Sequence, residues 1–297
     1  MMPNHQDPEY LMGRSEAERG RLQRQAQLYG PLTRQLFVDA GIGQGMRVLD
    51  VGSGVGDVAL LVAELVGPTG AVVGIDPDAE ALRLARARVA ASGWQTITFM
   101  EGDIRTALLE GLFDAVVGRF VLIWVGDVVA VLHACHRYLR PGGIVAFQEH
   151  DVTAGSNYLA VPSSRLMDPW QRTMDAYGRD EPTQAAGTAL RAVDQAIGYH
   201  LYSAFLEAGL STPRMRYDAP IGGGPDWIGY ETFTDHLRTV LSLVIQLGGA
   251  TEAEIDIATF AARLREEVVG QRGVLRCLPA IGIWARWPVE DAQSSMT

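Results

Sequence analysis

The chain has 297 residues, 47% of them hydrophobic, and a formal net charge of −10. That length accommodates one large domain or a domain with a substantial insertion, and the composition buries a core, which argues against disorder. The acidic balance, 35 carboxylates against 25 basic residues, argues against a protein that tracks nucleic-acid phosphates. Every one of the 25 basic residues is Arg, so no Schiff-base or Walker-type lysine is available. Cys135 and Cys277 are too few for a disulfide scaffold or a Cys-rich metal site, which fits a reducing compartment. The first residues lack the basic and apolar regions of a signal peptide, and no apolar run is long enough to cross a bilayer. The chain therefore reads as soluble and cytoplasmic.

In chain order, a helix is expected over 15–29, where Ser15 and Glu18 form a capping-box pattern. Met-Arg-Val-Leu-Asp-Val (46–51) reads as a buried strand, followed by a Gly-rich turn and a helix over 57–66. A second strand over 71–76 leads into an Ala/Arg-rich helix over 78–91. Strands follow over 96–102, 113–122 and 143–150, with a helix over 127–139 that stops at Leu-Arg-Pro-Gly-Gly. Strands that are apolar throughout and alternate with helices indicate a parallel sheet covered on both faces, a doubly wound α/β domain.

Beyond residue 150 the rhythm changes. The stretch 151–187 holds one helix-like segment over 163–177, and a helix over 188–208 ends at Gly209. A strand over 215–220 is followed by a Gly-rich turn, two helical patterns within 227–270 and a last strand over 278–288. The expected organisation is an N-terminal helical cap (1–45), a Rossmann-like core (46–150) and a lid insertion (151–187). A core helix and sixth strand (188–224), lid helices (225–272) and a last strand with a frayed tail (273–297) complete it.

The chemistry concentrates in Val-Leu-Asp-Val-Gly-Ser-Gly-Val-Gly-Asp (48–57). Glycines between a strand and a helix let the backbone turn tightly and approach a ligand at the helix N-terminus. Asp76 ends the second strand, where a carboxylate can take both hydroxyls of a ribose, and Asp103 follows the third. Together they describe a nucleoside pocket at the carboxyl edge of the sheet. A dinucleotide site would want a third glycine at position 57 and an open helix end for a pyrophosphate. Asp57 stands there instead, and its negative charge disfavours NAD.

The ordered set VLDVGSGVGD, VVGIDPD, MEGDI, FDAVVGRFVLIW and LRPGGIVAF resembles the motifs of class I S-adenosylmethionine-dependent methyltransferases, closest in kind to the ubiquinone/menaquinone type and natural-product relatives. The resemblance covers residues 46–150 and implies a seven-stranded sheet with an antiparallel last strand. It implies that Gly52, Ser53, Gly54 and Gly56 line the methionine and ribose part of S-adenosylmethionine. Asp76 would hold the ribose hydroxyls with Pro77 beside the adenine. Asp103 would bond the adenine amino group, and Ile104 would pack on its ring. Arg119 and Phe120 would sit by the methionine moiety and the acceptor, and Tyr29 on the N-terminal helix could touch cofactor or substrate, with simple packing as the alternative. The acceptor itself does not follow from the fold.

A general base is needed only for an acceptor that arrives protonated. His150 is the candidate, at a strand end beside Glu149 and Asp151, where a carboxylate neighbour would raise its pKa. His133 and His136 lie on a helix whose buried face is otherwise accounted for, so no metal site is expected. The aromatic residues Tyr158, Trp170, Tyr177, Trp227, Tyr230 and Phe233 either enclose a ring-bearing ligand or form the inserted region's own core. Arg165, Arg172 and Arg179, seven residues apart, read as a solvated helix face. The expected activity is methyl transfer to a small, ring-bearing metabolite at O, N or C. A peptide or protein acceptor and an NAD-dependent oxidoreductase are the alternatives. No nucleic-acid or membrane partner is expected, and a homodimer is left open.

Overall fold

The computed structural model describes residues 16–153, 158–179, 196–246 and 249–289. Ser15, the first half of the helix expected over 188–208 and the tail lie outside the described residues, as do the side chains of Glu18, Tyr177 and Arg179. The described residues start with α1 (Glu16–Ala40), followed by β1 (Arg47–Val51), α2 (Asp57–Val66), β2 (Ala71–Asp76), α3 (Ala79–Ser92), β3 (Ile97–Glu101), β4 (Phe113–Arg119), α4 (Val128–His136) and β5 (Leu139–His150). After β6 (Leu159–Val161) come α5 (Asp168–Arg179), α6 (Ile197–Glu207), β7 (Arg214–Asp218) and β8 (Ile221–Gly222). The remainder is α7 (Gly229–Thr239), α8 (Leu241–Gln246), α9 (Glu252–Ile255), α10 (Phe260–Gly270), β9 (Val274–Arg276) and β10 (Ala280–Arg286).

Seven strands form one sheet in the order β3-β2-β1-β4-β5-β10-β7. The first five run parallel, whereas β10 is antiparallel to both neighbours. This is the doubly wound, Rossmann-like α/β sheet with an antiparallel last strand. Its strand order reverses between β1 and β4, and ligands bind at such a switch point outside the carboxyl ends of the strands. One face buries Val131, Leu132, Leu201 and Phe205 from α4 and α6. The other buries Leu36 and Phe37 of α1 with Val58 and Val62 of α2.

Local chemistry explains most boundaries. Asp78 caps α3 by accepting from the backbone N–H of Glu80 and Ala81, and Asp127 caps α4 by accepting from Ala130. The N-terminus of α2 has no side-chain cap; Gly56 precedes it with φ of 84°.

Several elements differ from expectation. Helix α1 runs through Pro31 to Ala40 because its second half buries an apolar face on the sheet. Strand β4 ends at Arg119 because Phe120 takes a left-handed φ of 56°. Strand β5 begins at Leu139, absorbing the Arg-Pro-Gly-Gly run beside an irregularity in the pairing with β4. The region expected to hold two helical patterns forms four short helices, α7 to α10. A second sheet, β6-β9-β8, also appears. These strands have only two or three residues each, too few for the alternation that marks a strand in sequence.

Candidate active site

The Gly52–Gly56 turn sits at the carboxyl edge between the ends of β1 and β2. Gly52 has φ of 68°, its N–H donates to the Ile75 carbonyl, and a methyl group on it would lie 2.3 Å from the Val121 side chain. Only glycine fits there. Gly54 has φ of 50° and faces open space, with no atom within 4 Å of where a methyl would be. Ser53 is buried with no hydrogen-bond partner for its hydroxyl, and Gly56 leads into the uncapped N-terminus of α2.

Asp76 accepts from the Gly54 N–H and the Asp78 N–H, each at 2.8 Å. Burial raises its pKa despite those bonds. The carboxylate thus stiffens the glycine turn and keeps further lone pairs for hydroxyl donors. Pro77 beside it is exposed. Asp103 is clasped by the Arg105 guanidinium of its own loop and accepts from the Arg105 N–H at 2.8 Å, which lowers its pKa. Ile104 is buried in the core with Ile75.

Asp57 calls for a correction. Arg88 reaches its carboxylate at 2.6 Å and the Val55 carbonyl at 2.6 Å. The charge at the start of α2 is therefore offset, and the electrostatic argument against a dinucleotide loses most of its force.

Inside β1, Asp50 is wholly buried; neither carboxylate oxygen has a side-chain hydrogen-bond partner among the described residues, and the Ala59 backbone N–H is the backbone donor that acts on it. Burial raises its pKa well above the usual range, while the Arg119 guanidinium pulls it down. Arg119 donates to the Thr33 hydroxyl at 3.3 Å, and Thr33 donates to Gln148 Oε1 at 2.6 Å. A carboxylate with no side-chain partner beside the glycine turn is the complement of a cationic group. Asp50, an acidic residue inside an otherwise apolar strand, escaped the sequence reading although that pattern marks it.

The residues expected on the acceptor side lie at the ends of β4 and β5. Phe120, in its left-handed conformation, stacks on His150 at 3.6 Å, and Tyr29 meets both rings edge-on at 5.2 and 5.0 Å. The Tyr29 hydroxyl donates to the Leu278 carbonyl at 2.9 Å, so this side chain packs and anchors α1. His150 Nε2 lies 3.3 Å from the Gln25 amide nitrogen. The expectation that a carboxylate raises the His150 pKa is overturned: burial, followed by His236, lowers it to about 3. Successive strand residues point to opposite faces. Glu149 instead accepts from the N–H groups of Val121 and Leu122 at 3.0 and 2.8 Å, and Asp151 accepts from Tyr199 and Tyr217. Burial pushes Glu149 up to about 8. By fixing Val121, Glu149 also fixes the side chain that packs on Gly52.

The inserted aromatics turn mostly inward. Tyr158, Trp170, Tyr230 and Phe233 are buried in one cluster with Leu28 and Tyr29, with Trp227 partly buried against it. Tyr158 and Phe233 have centroids 4.4 Å apart, and Trp170 meets Phe233 at 5.6 Å. His136 stacks on Trp287 at 3.8 Å, and His200 is exposed. Among the described residues no helix is long and apolar enough to cross a membrane.

A family model described as a methyltransferase domain matches residues 42–202. The chain belongs to the methyltransferase-domain family. It is 30% identical to a trans-aconitate 2-methyltransferase of Azoarcus sp. over 62% of this chain and 65% of that one. It is 36% identical to a ubiquinone/menaquinone biosynthesis C-methyltransferase of Coxiella burnetii over 35% and 43%. The chain thus spans less than two thirds of the length of each of these curated relatives. A solved structure of a SAM-dependent methyltransferase from Aquifex aeolicus aligns over 85% of this chain and 88% of its own, with 14% identity and a TM-score of 0.46. The fold and motif order are those of class I, and the cofactor is S-adenosylmethionine. The site suits such a group: Asp50 is a buried carboxyl whose oxygens have no side-chain hydrogen-bond partner among the described residues, Gly54 faces open space, and Asp76 retains acceptor capacity.

Proposed function

We propose that this methyltransferase transfers a methyl group to a small, ring-bearing metabolite at oxygen, nitrogen or carbon. Asp50 is the observation that carries the reading. A buried carboxylate without a side-chain partner is tolerated where a ligand completes it, and the ammonium of an amino-acid moiety is such a partner. S-adenosylmethionine supplies an electrophilic methyl group on a sulfonium. The chain aligns the reactants and excludes water. In this reading Gly52, Ser53, Gly54 and Gly56 line the cofactor's chain and ribose, Asp76 takes ribose hydroxyls, and Pro77, Asp103 and Ile104 border the adenine. Arg119 and Phe120 lie between the cofactor and the acceptor.

His150 contacts the acceptor. Its low pKa keeps the imidazole neutral near pH 7, and Gln25 must turn aside before Nε2 can take a proton. His150→Ala should lower turnover more than about tenfold, well beyond a packing defect, with cofactor affinity nearly intact. An unchanged rate removes it from the reaction.

The deciding measurement is thermal unfolding with S-adenosylmethionine, S-adenosylhomocysteine, NAD and NADP in parallel. A ligand at about 100 times its dissociation constant adds about 2.7 kcal/mol and raises the midpoint by several degrees. A shift with the adenosyl sulfur compounds alone supports the proposal. A shift with NAD alone overturns it and assigns α2 to a pyrophosphate.

A further inference from the structure

Strand β7 closes one end of the large sheet, and among the described residues no strand pairs with its outer edge. An open edge is a template for another strand, and soluble proteins commonly blunt it with proline, a bulge or charge. Strand β7 runs Arg-Met-Arg-Tyr-Asp, pairs with β10 without a break and holds no proline. Its three charges share one face, opposite Ala280, Gly282 and Trp284 of β10. There Arg216 reaches Asp218 and Asp39 of α1, and the Arg214 guanidinium lies 5.3 Å from the Trp284 ring centre.

The other face is apolar. Met215 and Tyr217 stand opposite Ile283 and Ile281 of β10, on the face where Gly198 of α6 packs against Ile281. Helix α6 buries Ile197, Leu201 and Phe205 on the sheet, and Tyr199, Tyr202 and Leu206 form a stripe along its flank by spacings of three and four. The Tyr199 and Tyr217 hydroxyls both donate to Asp151 Oδ2, at 3.0 and 3.1 Å, which sets that flank on the β7 side. Tyr199, Tyr202, Leu206, Met215 and Tyr217 thus form one surface, each between 38% and 51% exposed. A contiguous apolar patch on a soluble protein marks a contact.

We infer that two copies of this chain associate through this surface, β7 of one pairing antiparallel with β7 of the other about a two-fold axis at Arg216. The strand is self-complementary in that register: Arg214 faces Asp218 of the second copy, Met215 faces its Tyr217, and each pair occurs twice. Arg216 faces its own counterpart, with its charge offset in each copy by Asp39 and Asp218. A slip of two residues one way sets Arg214 against Arg216, and a slip the other way sets it against Pro220, which has no N–H. A two-fold axis perpendicular to the sheet keeps both α6 helices on one side, so their exposed flanks meet over the strand junction and bury the apolar stripe. A second copy therefore satisfies the charged and the apolar face together, which an unrelated strand does not.

The test follows the mass of the full chain by analytical sedimentation from about 1 to about 100 μM. The unaltered chain should be a dimer at the upper end of that range. R214E and D218R, each alone, set like charges against each other at both ends of the strand pair and should weaken the dimer about tenfold or more. An equimolar mixture of the two variants restores opposite charges at both ends and should recover a mixed dimer, which a folding defect in either variant would prevent. Y202E, on α6, should weaken the dimer without touching the strand. The proposal is overturned if the unaltered chain is a monomer throughout, if its dimer is indifferent to R214E and D218R, if the mixture stays monomeric, or if Y202E leaves the dimer unchanged. None of these readouts depends on the cofactor or the acceptor, so the methyltransferase reading stands or falls separately.

Discussion

The carboxyl edge of the large sheet and the inserted region meet around Tyr29 and Phe120, yet they are built on different principles. At the edge, polar groups sit where strands end and are held by backbone: Asp76 by two N–H groups of neighbouring turns, Glu149 by two N–H groups after β4. In the inserted region, rings from just before β6, from α5 and from α7, far apart in sequence, pack on one another. The first arrangement places charge accurately because the backbone is rigid. The second supplies a wall whose members can serve both the fold and a ligand, so substitutions in the two regions should fail differently.

The largest effect is expected in the inserted region. Phe233 is wholly buried among Tyr158, Trp170 and Phe260. Phe233→Ala should cost about 3–5 kcal/mol and lower the unfolding midpoint by about 10 °C, while the S-adenosylhomocysteine shift persists. A midpoint change of only a degree or two, with acceptor KM altered instead, would make Phe233 a pocket wall and dissolve the contrast between the regions.

Next in size is Glu149. Its carboxyl is raised from 4.5 to about 8 by burial, so the folded chain binds this proton more tightly than the unfolded chain does. Its contribution is therefore present in full below pH 4.5 and is lost as the pH rises through 8. His150 and His236 act with the opposite sign, since their lowered values favour the fold as pH rises toward 6.5. The difference between the natural chain and Glu149→Gln isolates the carboxyl, because the glutamine oxygen still accepts from Val121 and Leu122. The variant should match the natural chain at pH 5 and exceed it at pH 8.5 by on the order of a few kcal/mol. Parallel pH profiles in denaturant melts would show that Glu149 is ionised throughout.

A third comparison lies within the glycine turn. Gly52→Ala drives a methyl into Val121 and holds a left-handed φ, which together should cost about 2–4 kcal/mol. Gly54→Ala meets no atom of the chain and should cost only about 1 kcal/mol for its backbone. In the proposed reading it nevertheless places a methyl where the cofactor approaches. The first variant should therefore melt early, and the second should melt nearly normally but lose its S-adenosylhomocysteine shift. Equal melting losses would mean that the two glycines serve packing alone.

The contrast also explains what could be read in advance. The strands, α2 and α3, the glycine turn and Asp76 were legible because apolar runs, Gly and Asp carry local conformational meaning. Tyr29 and the aromatic set were seen, but their choice between packing and ligand depended on distant partners such as Leu278 and Phe260. The small sheet was hidden because its strands are too short to show a period. His150 was located correctly at a strand end, yet its pKa shifts opposite to expectation. Adjacent carboxylates in a strand point away, and burial acts unopposed by them. Arg88 shows the same limit: its effect on Asp57 crosses from α3 to α2 and leaves no mark at position 57.

The smallest expected effect concerns Asp103, where a ligand role and a local ion pair compete. Arg105 holds the Asp103 carboxylate in this structure. Both side chains are partly exposed, so the pair adds under about 1 kcal/mol to stability. If Asp103 accepts from the adenine amino group, it needs only one lone pair, and a carboxylate has about four. Asp103→Asn should then weaken S-adenosylhomocysteine by about tenfold, the scale of one charge-assisted hydrogen bond. Arg105→Ala should leave affinity within about threefold and could raise it by freeing the oxygens. Calorimetric titration of both variants separates the roles. Equal losses would mean that the ion pair acts as one unit, with Arg105 shaping the adenine edge as much as the carboxylate does.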